Sequence, residues 1–156
     1  MTPVVGKPAP DFSLKAHDGK TIKLRELRGT TVVLYFYPQD DTEGCTKEAC
    51  DFRDAMPRFK RTKAAILGVS PDSVESHVKF REKYDLPFTL LADIDQTVCK
   101  AYGVWQKKKM FGREYMGVVR TTFIIDGAGV VRHIFKVKRV AGHVDDVDAA
   151  VRTLVG

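Results

Sequence analysis

The sequence predicts an α/β fold in which a mixed β-sheet is covered by helices on both faces. Two strand–helix–strand passages come first, and a strand hairpin followed by a helix ends the chain. Strands that alternate with helices favour parallel pairing, whereas a hairpin adds an antiparallel pair. The functional crevice of such a sheet lies beyond the carboxyl ends of its parallel strands. We therefore look for chemistry in the connections that lead from strands into helices.

The composition is typical of a globular domain. The chain has 156 residues, of which 44% are hydrophobic and 29% charged, with a formal net charge of +6. This length predicts one domain over residues 1–156. The longest strongly apolar stretch, residues 31–38, is far shorter than the ~20 residues of a membrane helix. The N-terminus lacks a signal-peptide pattern, so we expect a soluble cytoplasmic protein without membrane contact.

The first elements are an N-terminal β-hairpin and a buried strand. Residues 12–14 and 22–24 flank an Asp18-Gly19 pair, which is a hairpin turn sequence. Residues 31–37 are β-branched and aromatic almost without interruption. A strand with that composition is buried on both faces, so we place it at the centre of the sheet.

A polar turn and a helix follow this strand. Residues 38–44 form the turn, and an apolar helical pattern begins at Cys45. Pro57 is expected to kink or end that helix, because proline lacks the backbone donor that a helix interior needs. The remaining strands are predicted at residues 64–70, 88–91, 121–126 and 130–137, and the remaining helices at residues 74–84, 96–102 and 145–155.

Cys45 is the candidate nucleophile. It falls in the first turn of its helix, where free backbone N–H groups and the positive end of the helix dipole stabilise a thiolate. The thiolate is the reactive form of cysteine. The hydroxyl of Thr42, three residues earlier, can point to the sulfur or to a bound oxygen substrate. The alternative is a cysteine that only begins a helix.

Cys50 lies five residues after Cys45. In an ideal helix this spacing gives ~7.5 Å of rise and places the two Cα atoms roughly 8–9 Å apart. A disulfide needs Cα atoms within about 7 Å of each other, so the two cysteines can bond only if the helix start unwinds. The spacing favours a switching disulfide and is poor for zinc. A buried core thiol is the alternative for Cys50, and it is our prediction for Cys99.

The residues around Cys45 resemble those of a known family. The pattern Pro38-x₃-Thr42-x₂-Cys45 is similar to the motif of the peroxiredoxins. The wider run FYP-x-DDT-x-GCTKEACDFRD resembles the bacterioferritin comigratory protein (peroxiredoxin Q) branch, and further matching segments cover nearly the whole chain. The resemblance implies a thioredoxin-like fold and thiol-dependent reduction of hydrogen peroxide and organic hydroperoxides.

The resemblance also implies a role for each matching residue. Cys45 matches the peroxidatic cysteine, and Thr42 the threonine that bonds it and the peroxide. Pro38 matches the residue that shields the pocket, and Arg120 the arginine that holds the thiolate and polarises the peroxide. Cys50 matches the resolving cysteine that some members carry. The expected substrate-binding residues are Thr42, Gly44, Cys45 and Arg120.

The implied cycle needs a peroxide and an external dithiol reductant, which we expect to be thioredoxin. No metal or cofactor is expected, and a monomer is favoured over a dimer. The sequence departs from the family at Glu43, where a proline is common. A carboxylate there favours the helix N-terminus and disfavours a neighbouring thiolate.

Three other functions compete with this prediction. A peroxide sensor would pass its disulfide to a partner without turnover. A nucleic-acid-binding module would use residues 104–139, which carry nine basic and two acidic residues but no recognition motif. We interpret that segment as a solvated basic face and expect no nucleic-acid partner. A thioredoxin-like exchanger would need Cys-x-x-Cys, whereas this chain has Cys-x₄-Cys.

Overall fold

A computed structural model describes the backbone of residues 2–155 and the side chains of residues 2–154. The strands of this part are β1 (Ser13–Ala16), β2 (Thr21–Lys23), β3 (Val32–Phe36), β4 (Ala65–Ser70), β5 (Thr89–Ala92), β6 (Trp105–Met110), β7 (Arg113–Val118), β8 (Thr121–Ile125) and β9 (Val131–Lys136). The α-helices are α1 (Glu43–Arg61), α2 (Val74–Tyr84), α3 (Thr97–Ala101) and α4 (His143–Val155), and a 3₁₀ helix covers Leu24–Leu27.

Seven strands form one mixed sheet in the order β2-β1-β5-β4-β3-β8-β9. The three central strands β5, β4 and β3 are parallel, and the other neighbours pair antiparallel. The mixed sheet and the N-terminal hairpin predicted from the sequence are confirmed. The thioredoxin-like arrangement places the carboxyl ends of β3 and β4 at one edge, from which the chain enters α1 and α2.

Both faces of β3 are covered, which explains its unbroken apolar sequence. All five of its residues are buried. Val33 and Tyr35 pack against α1, α2 and α4, and the Tyr35 ring stacks on Phe52 with 4.7 Å between centroids. Leu34 and Phe36 face the other core, which includes α3. The central strand is therefore held rigidly, and so is the chain that leaves it toward Cys45.

Helix α1 differs from the prediction at both ends. It begins at Glu43 and continues through Pro57 to Arg61, so the prediction that Pro57 ends it is wrong. Pro57 is exposed, and water can reach the carbonyl that its missing N–H leaves free. The fully buried Phe59 lies beyond the proline, and its burial favours continuing the helix.

A separate two-stranded sheet, β6–β7, was absent from the sequence prediction. Its strands are mostly polar, and its turn residues, Phe111 and Gly112, both have positive φ angles. Phe-Gly is not the Asn-Gly or Asp-Gly pair that normally indicates such a turn. Within the described residues, no helix is both long enough and apolar enough to span a membrane.

Candidate active site

Cys45 lies where the sequence predicts it, in the first turn of the helix that follows the central strand. Thr42 is the N-cap of α1, and its carbonyl accepts the Thr46 N–H at 2.8 Å. Cys45 is the third helical residue, so its N–H is among the donors that the helix itself leaves unpaired. Its side chain is 1% exposed. A buried sulfur at the positive end of a 19-residue helix is suited to hold a thiolate.

Arg120 reaches this sulfur from the neighbouring strand. Thr121 of β8 pairs with Phe36 of β3, so Arg120 lies beside the end of the strand that leads toward Cys45. Its Nη2 donates to Cys45 Sγ at 3.3 Å, and its Nη1 donates to Glu48 Oε1 at 2.6 Å. The arginine predicted to hold the thiolate therefore contacts the sulfur directly. One guanidinium fork contacts both the sulfur and a carboxylate.

Gly44 allows the guanidinium to approach the helix start. A Cβ atom built on Gly44 would lie 3.1 Å from Arg120 Nη2, closer than ordinary van der Waals contact. A side chain here would push Arg120 away from Cys45. This contact gives the predicted substrate-binding residue Gly44 a steric reason to be glycine.

Glu48 belongs to the site although the sequence analysis did not single it out. It lies one turn after Cys45 on the same face of α1 and is fully buried. Burial raises its pKa to about 7, and the charge of Arg120 opposes that rise. Its Oε2 has no hydrogen-bond partner among the described residues, and His143 Nε2 lies 3.8 Å from it. Burial lowers the pKa of His143 to about 4, so this imidazole is neutral near pH 7.

Replacing Glu48 by glutamine should change how stability depends on pH. A carboxyl with a folded-state pKa of about 7 and an ordinary value of 4.5 loses its proton first in the unfolded chain. The wild type therefore loses stability as the pH rises from 4.5 to 7, and glutamine does not. We expect the unfolding free energy of Glu48→Gln to rise relative to that of the wild type as the pH increases, by up to about 3 kcal/mol at the upper end of this range. Urea unfolding at each pH measures the difference.

The same comparison is repeated in a Cys45→Ser background, in which the thiol beside Arg120 is absent. Any pH-dependent difference in unfolding free energy between those two proteins then comes from Glu48→Gln and not through the thiol. A difference in unfolding free energy between them that stays constant from pH 4.5 to 7, or that grows as the pH falls, would contradict the raised pKa.

A buried polar cluster connects the turn between β3 and α1 to helix α2. Asp40 accepts hydrogen bonds from the Tyr37 hydroxyl at 2.5 Å and the Ser76 hydroxyl at 2.8 Å. His77 is fully buried, with Nδ1 2.7 Å from Asp40 Oδ2 and Nε2 2.9 Å from the Leu91 carbonyl. The carbonyl can only accept, so Nε2 carries a proton. The short Nδ1–Oδ2 contact joins the imidazole to the Asp40 carboxyl group by a hydrogen bond.

Asp41 ties the outer side of the turn to the same helix. It has a positive φ of 58° and accepts hydrogen bonds from Tyr84 and Lys83, each at 2.6 Å. Helix α2 therefore holds the turn through Asp40 on the buried side and through Asp41 on the exposed side. The chain that enters α1 has little freedom until it passes Asp41.

Thr42, a predicted site residue, makes no hydrogen bond to the sulfur in this structure. Thr42 is exposed, and its hydroxyl donates to the Gln39 carbonyl at 2.9 Å, so it does not point to Cys45. Gln39 lies three residues before Thr42, so this is a local side-chain-to-backbone hydrogen bond of the kind that threonine often makes in turns. Pro38 is half-buried at the start of the turn. The predicted roles of Thr42 and Pro38 toward peroxide stay predictions.

The other two cysteines occupy different environments. Cys50 is half-buried on α1, and burial raises the pKa of its thiol. Cys99 is fully buried on α3, as predicted, and burial together with the neighbouring Asp93 carboxylate raises its pKa well above the usual value. All three cysteines are free thiols. Cys45 and Cys50 both lie within the intact α1, the arrangement that prevents a bond between them.

No group of three or more metal-binding side chains (His, Cys, Asp or Glu) occurs within the described residues.

The chain matches the model of the AhpC/TSA family over residues 5–134. It is 49% identical to Peroxiredoxin Bcp of Bacillus subtilis over 154 residues, which cover 99% of this chain and 96% of that protein. The chain belongs to the AhpC/TSA family of peroxiredoxins. Membership makes it a thiol-dependent peroxidase, and its similarities lie with the Bcp and peroxiredoxin Q branch.

Two further comparisons place this peroxiredoxin in the same branch. It is 49% identical to the putative peroxiredoxin bcp of Coxiella burnetii over 147 residues, which cover 94% of this chain and 97% of that protein. It also superposes on a structure of Xanthomonas campestris peroxiredoxin Q with a TM-score of 0.91 at 38% identity, covering 97% of this chain and 99% of the other. The family and thioredoxin-like fold implied by the sequence motifs are thereby confirmed.

Proposed function

We propose that this peroxiredoxin reduces hydrogen peroxide and organic hydroperoxides at Cys45, that Cys50 resolves the product, and that thioredoxin restores the enzyme. The observation that carries the proposal is the 3.3 Å contact between Arg120 Nη2 and Cys45 Sγ at the start of α1. A fixed cation contacts one buried sulfur in the first turn of a helix, which is the environment of a reactive cysteine.

The first step is attack of the Cys45 thiolate on one peroxide oxygen. A sulfur–oxygen bond forms, the O–O bond breaks, and the second oxygen leaves with the bonding electron pair and takes up a proton. Cys45 is oxidised to a sulfenic acid, and the peroxide is reduced to water or an alcohol. Arg120 can stabilise both the thiolate and the charge that develops on the leaving oxygen. The Glu48 carboxylate keeps the guanidinium in this position through its 2.6 Å hydrogen bond.

The second step joins the two cysteines of α1. The Cys50 sulfur attacks the sulfenic sulfur, a disulfide forms, and water leaves. Both residues belong to one helix, so the first turns of α1 must unwind for the sulfurs to meet. The turn up to Asp41 is tied to α2, which supports unwinding that is confined to residues after it.

The third step is thiol–disulfide exchange with an external dithiol, for which we propose thioredoxin. The dithiol is oxidised as the Cys45–Cys50 bond is reduced. Every step uses cysteines of one chain, so a monomer is sufficient. Recycling by a reduced dithiol suits a reducing compartment, and we place the protein in the cytoplasm.

Serine variants of the cysteines test this proposal. With hydrogen peroxide, thioredoxin, thioredoxin reductase and NADPH, Cys45→Ser should lose activity by at least about 10⁴-fold, because a hydroxyl does not replace the thiolate. Cys50→Ser should form a sulfenic acid on Cys45 but no intrachain disulfide, which mass spectrometry can show. Cys99→Ser is the matched control and should keep full turnover.

Retained peroxide consumption in Cys45→Ser would refute the proposal. Full thioredoxin-driven turnover in Cys50→Ser would move resolution to another thiol. If the wild type forms the disulfide but thioredoxin does not reduce it for further cycles, the protein would instead be a peroxide sensor.

A further inference from the structure

The β6–β7 hairpin carries an unusual share of the exposed apolar surface. Seven large hydrophobic side chains are exposed on the described chain, and four of them lie on this hairpin. They are Met110, Phe111, Tyr115 and Met116, with Phe111 97% exposed. An isolated two-stranded hairpin has no core of its own, and clustered exposed apolar side chains are a mark of an interaction surface.

Phe111 occupies a position that its side chain does not favour. Its φ of 52° lies in the left-handed region, where glycine and asparagine are usual and an aromatic residue is strained. The ring gains no packing in return, since it is almost wholly in solvent. An aromatic residue that neither suits the turn nor fills a core indicates a contact made outside the chain.

One face of the hairpin is continuous with the active site. Lys108 pairs across the strands with Tyr115, and Met110 pairs with Arg113, so these four side chains share a face. Lys108 Nζ donates to the Val118 carbonyl at 3.0 Å, at the base of the hairpin. Val118 is the last residue of β7 and lies two residues before Arg120, whose Nη2 contacts the Cys45 sulfur. The face thus extends from the surroundings of the sulfur to the exposed tip.

The charge of the hairpin selects the kind of partner. Its basic residues are Lys107, Lys108, Lys109 and Arg113, and Glu114 is its acidic residue. A second copy of this chain, with a net charge of +6, would be repelled, whereas an acidic partner would be attracted. A standard interface covers about 800 Å² per partner, enough to include the tip and the active site together.

We propose that the β6–β7 hairpin is the docking surface for the dithiol protein that reduces the Cys45–Cys50 disulfide, and that this partner presents acidic and apolar groups around its reactive cysteine. The proposal rests on the function proposed above. Phe111 and Met110 anchor the partner through apolar contact, and the lysines steer and orient it. The partner's cysteine then reaches the disulfide beside the hairpin base.

Phe111→Asn provides a direct test, because it introduces the Asn-Gly pair that favours this turn while it removes the ring. Arg113→Glu, on the same face as Met110, tests the charge. We expect each variant to lower kcat/KM for thioredoxin, recycled by thioredoxin reductase and NADPH, by about tenfold or more. Turnover with dithiothreitol and the single-turnover rate of Cys45 oxidation by hydrogen peroxide should stay unchanged, since neither needs docking. Ile94→Asn, at another exposed apolar residue, is the matched control and should behave as the wild type.

Equal kcat/KM for thioredoxin in wild type, Phe111→Asn and Arg113→Glu would overturn the proposal. So would a wild type that dithiothreitol reduces and thioredoxin does not. A change from dimer to monomer in Phe111→Asn, measured by sedimentation, would assign the surface to a second copy instead. Failure of Cys45 to form a sulfenic acid would refute the proposed function itself, and the single-turnover oxidation detects that failure separately.

Discussion

Arg120→Met is expected to lower kcat/KM for hydrogen peroxide by about 10²–10³-fold, the usual effect of removing a fixed donor from a site of developing charge. The guanidinium contacts the sulfur that, in the proposed mechanism, attacks the peroxide. Methionine has a similar length but no charge and no donor. Stopped-flow measurement of Cys45 oxidation, with no recycling system present, isolates this step.

Loss of Arg120 also leaves the buried Glu48 carboxylate without its partner, so a misfolded variant must be distinguished from a slow one. The double variant Arg120→Met with Glu48→Gln removes that buried charge and should stay equally slow. Arg120→Lys keeps the charge but cannot bind sulfur and carboxylate with one fork, and it should recover part of the rate. Arg132→Met, on an exposed arginine of β9, is the control for loss of positive charge. Oxidation of Arg120→Met within threefold of the wild-type rate would show that the contact does not assist catalysis.

The sequence was sufficient to predict the position of Cys45 at a helix start, because that position depends on local order. A buried strand, a polar turn and a helix start follow one another in the chain, and the sulfur's environment follows from that succession. Arg120 lies 75 residues away and has no such local indicator. It entered the prediction through the family motif, and the pairing of β8 with β3 explains why it reaches the sulfur.

Other features depend on tertiary contacts that no local pattern reports. Glu48 is an ordinary residue for an exposed helix face, and only the packing of α1 shows that it is buried beside Arg120. Its spacing of three residues from Cys45 was the one available indication. The β6–β7 hairpin was not predicted, because its strands are basic and its turn is Phe-Gly. His77 has no local indicator of its burial in the sequence, yet it lies among the buried residues of α2.

His77→Ala is expected to lower the free energy of unfolding by about 2–5 kcal/mol, because it leaves a cavity and removes a partner from two buried acceptors. Asp40 would keep the Tyr37 and Ser76 hydroxyls but lose its hydrogen bond with the imidazole. The Leu91 carbonyl would lose its donor as well. A loss of this size is a large part of the roughly 5–15 kcal/mol that stabilises a typical domain. Urea unfolding followed by circular dichroism measures it.

A double-mutant cycle with Asp40→Ala separates the pair from the cavity that alanine leaves. If the two side chains act as one hydrogen-bonded pair, the second substitution costs much less in the His77→Ala background, and the coupling falls in the range of roughly 1–3 kcal/mol. Ser76→Ala removes one neutral donor to the same carboxylate and should cost only about 1 kcal/mol. Additive losses for Asp40→Ala and His77→Ala would mean that the imidazole only fills space. Strong coupling would show that Asp40 and His77 act as one hydrogen-bonded pair, which ties the turn leading to Cys45 to helix α2.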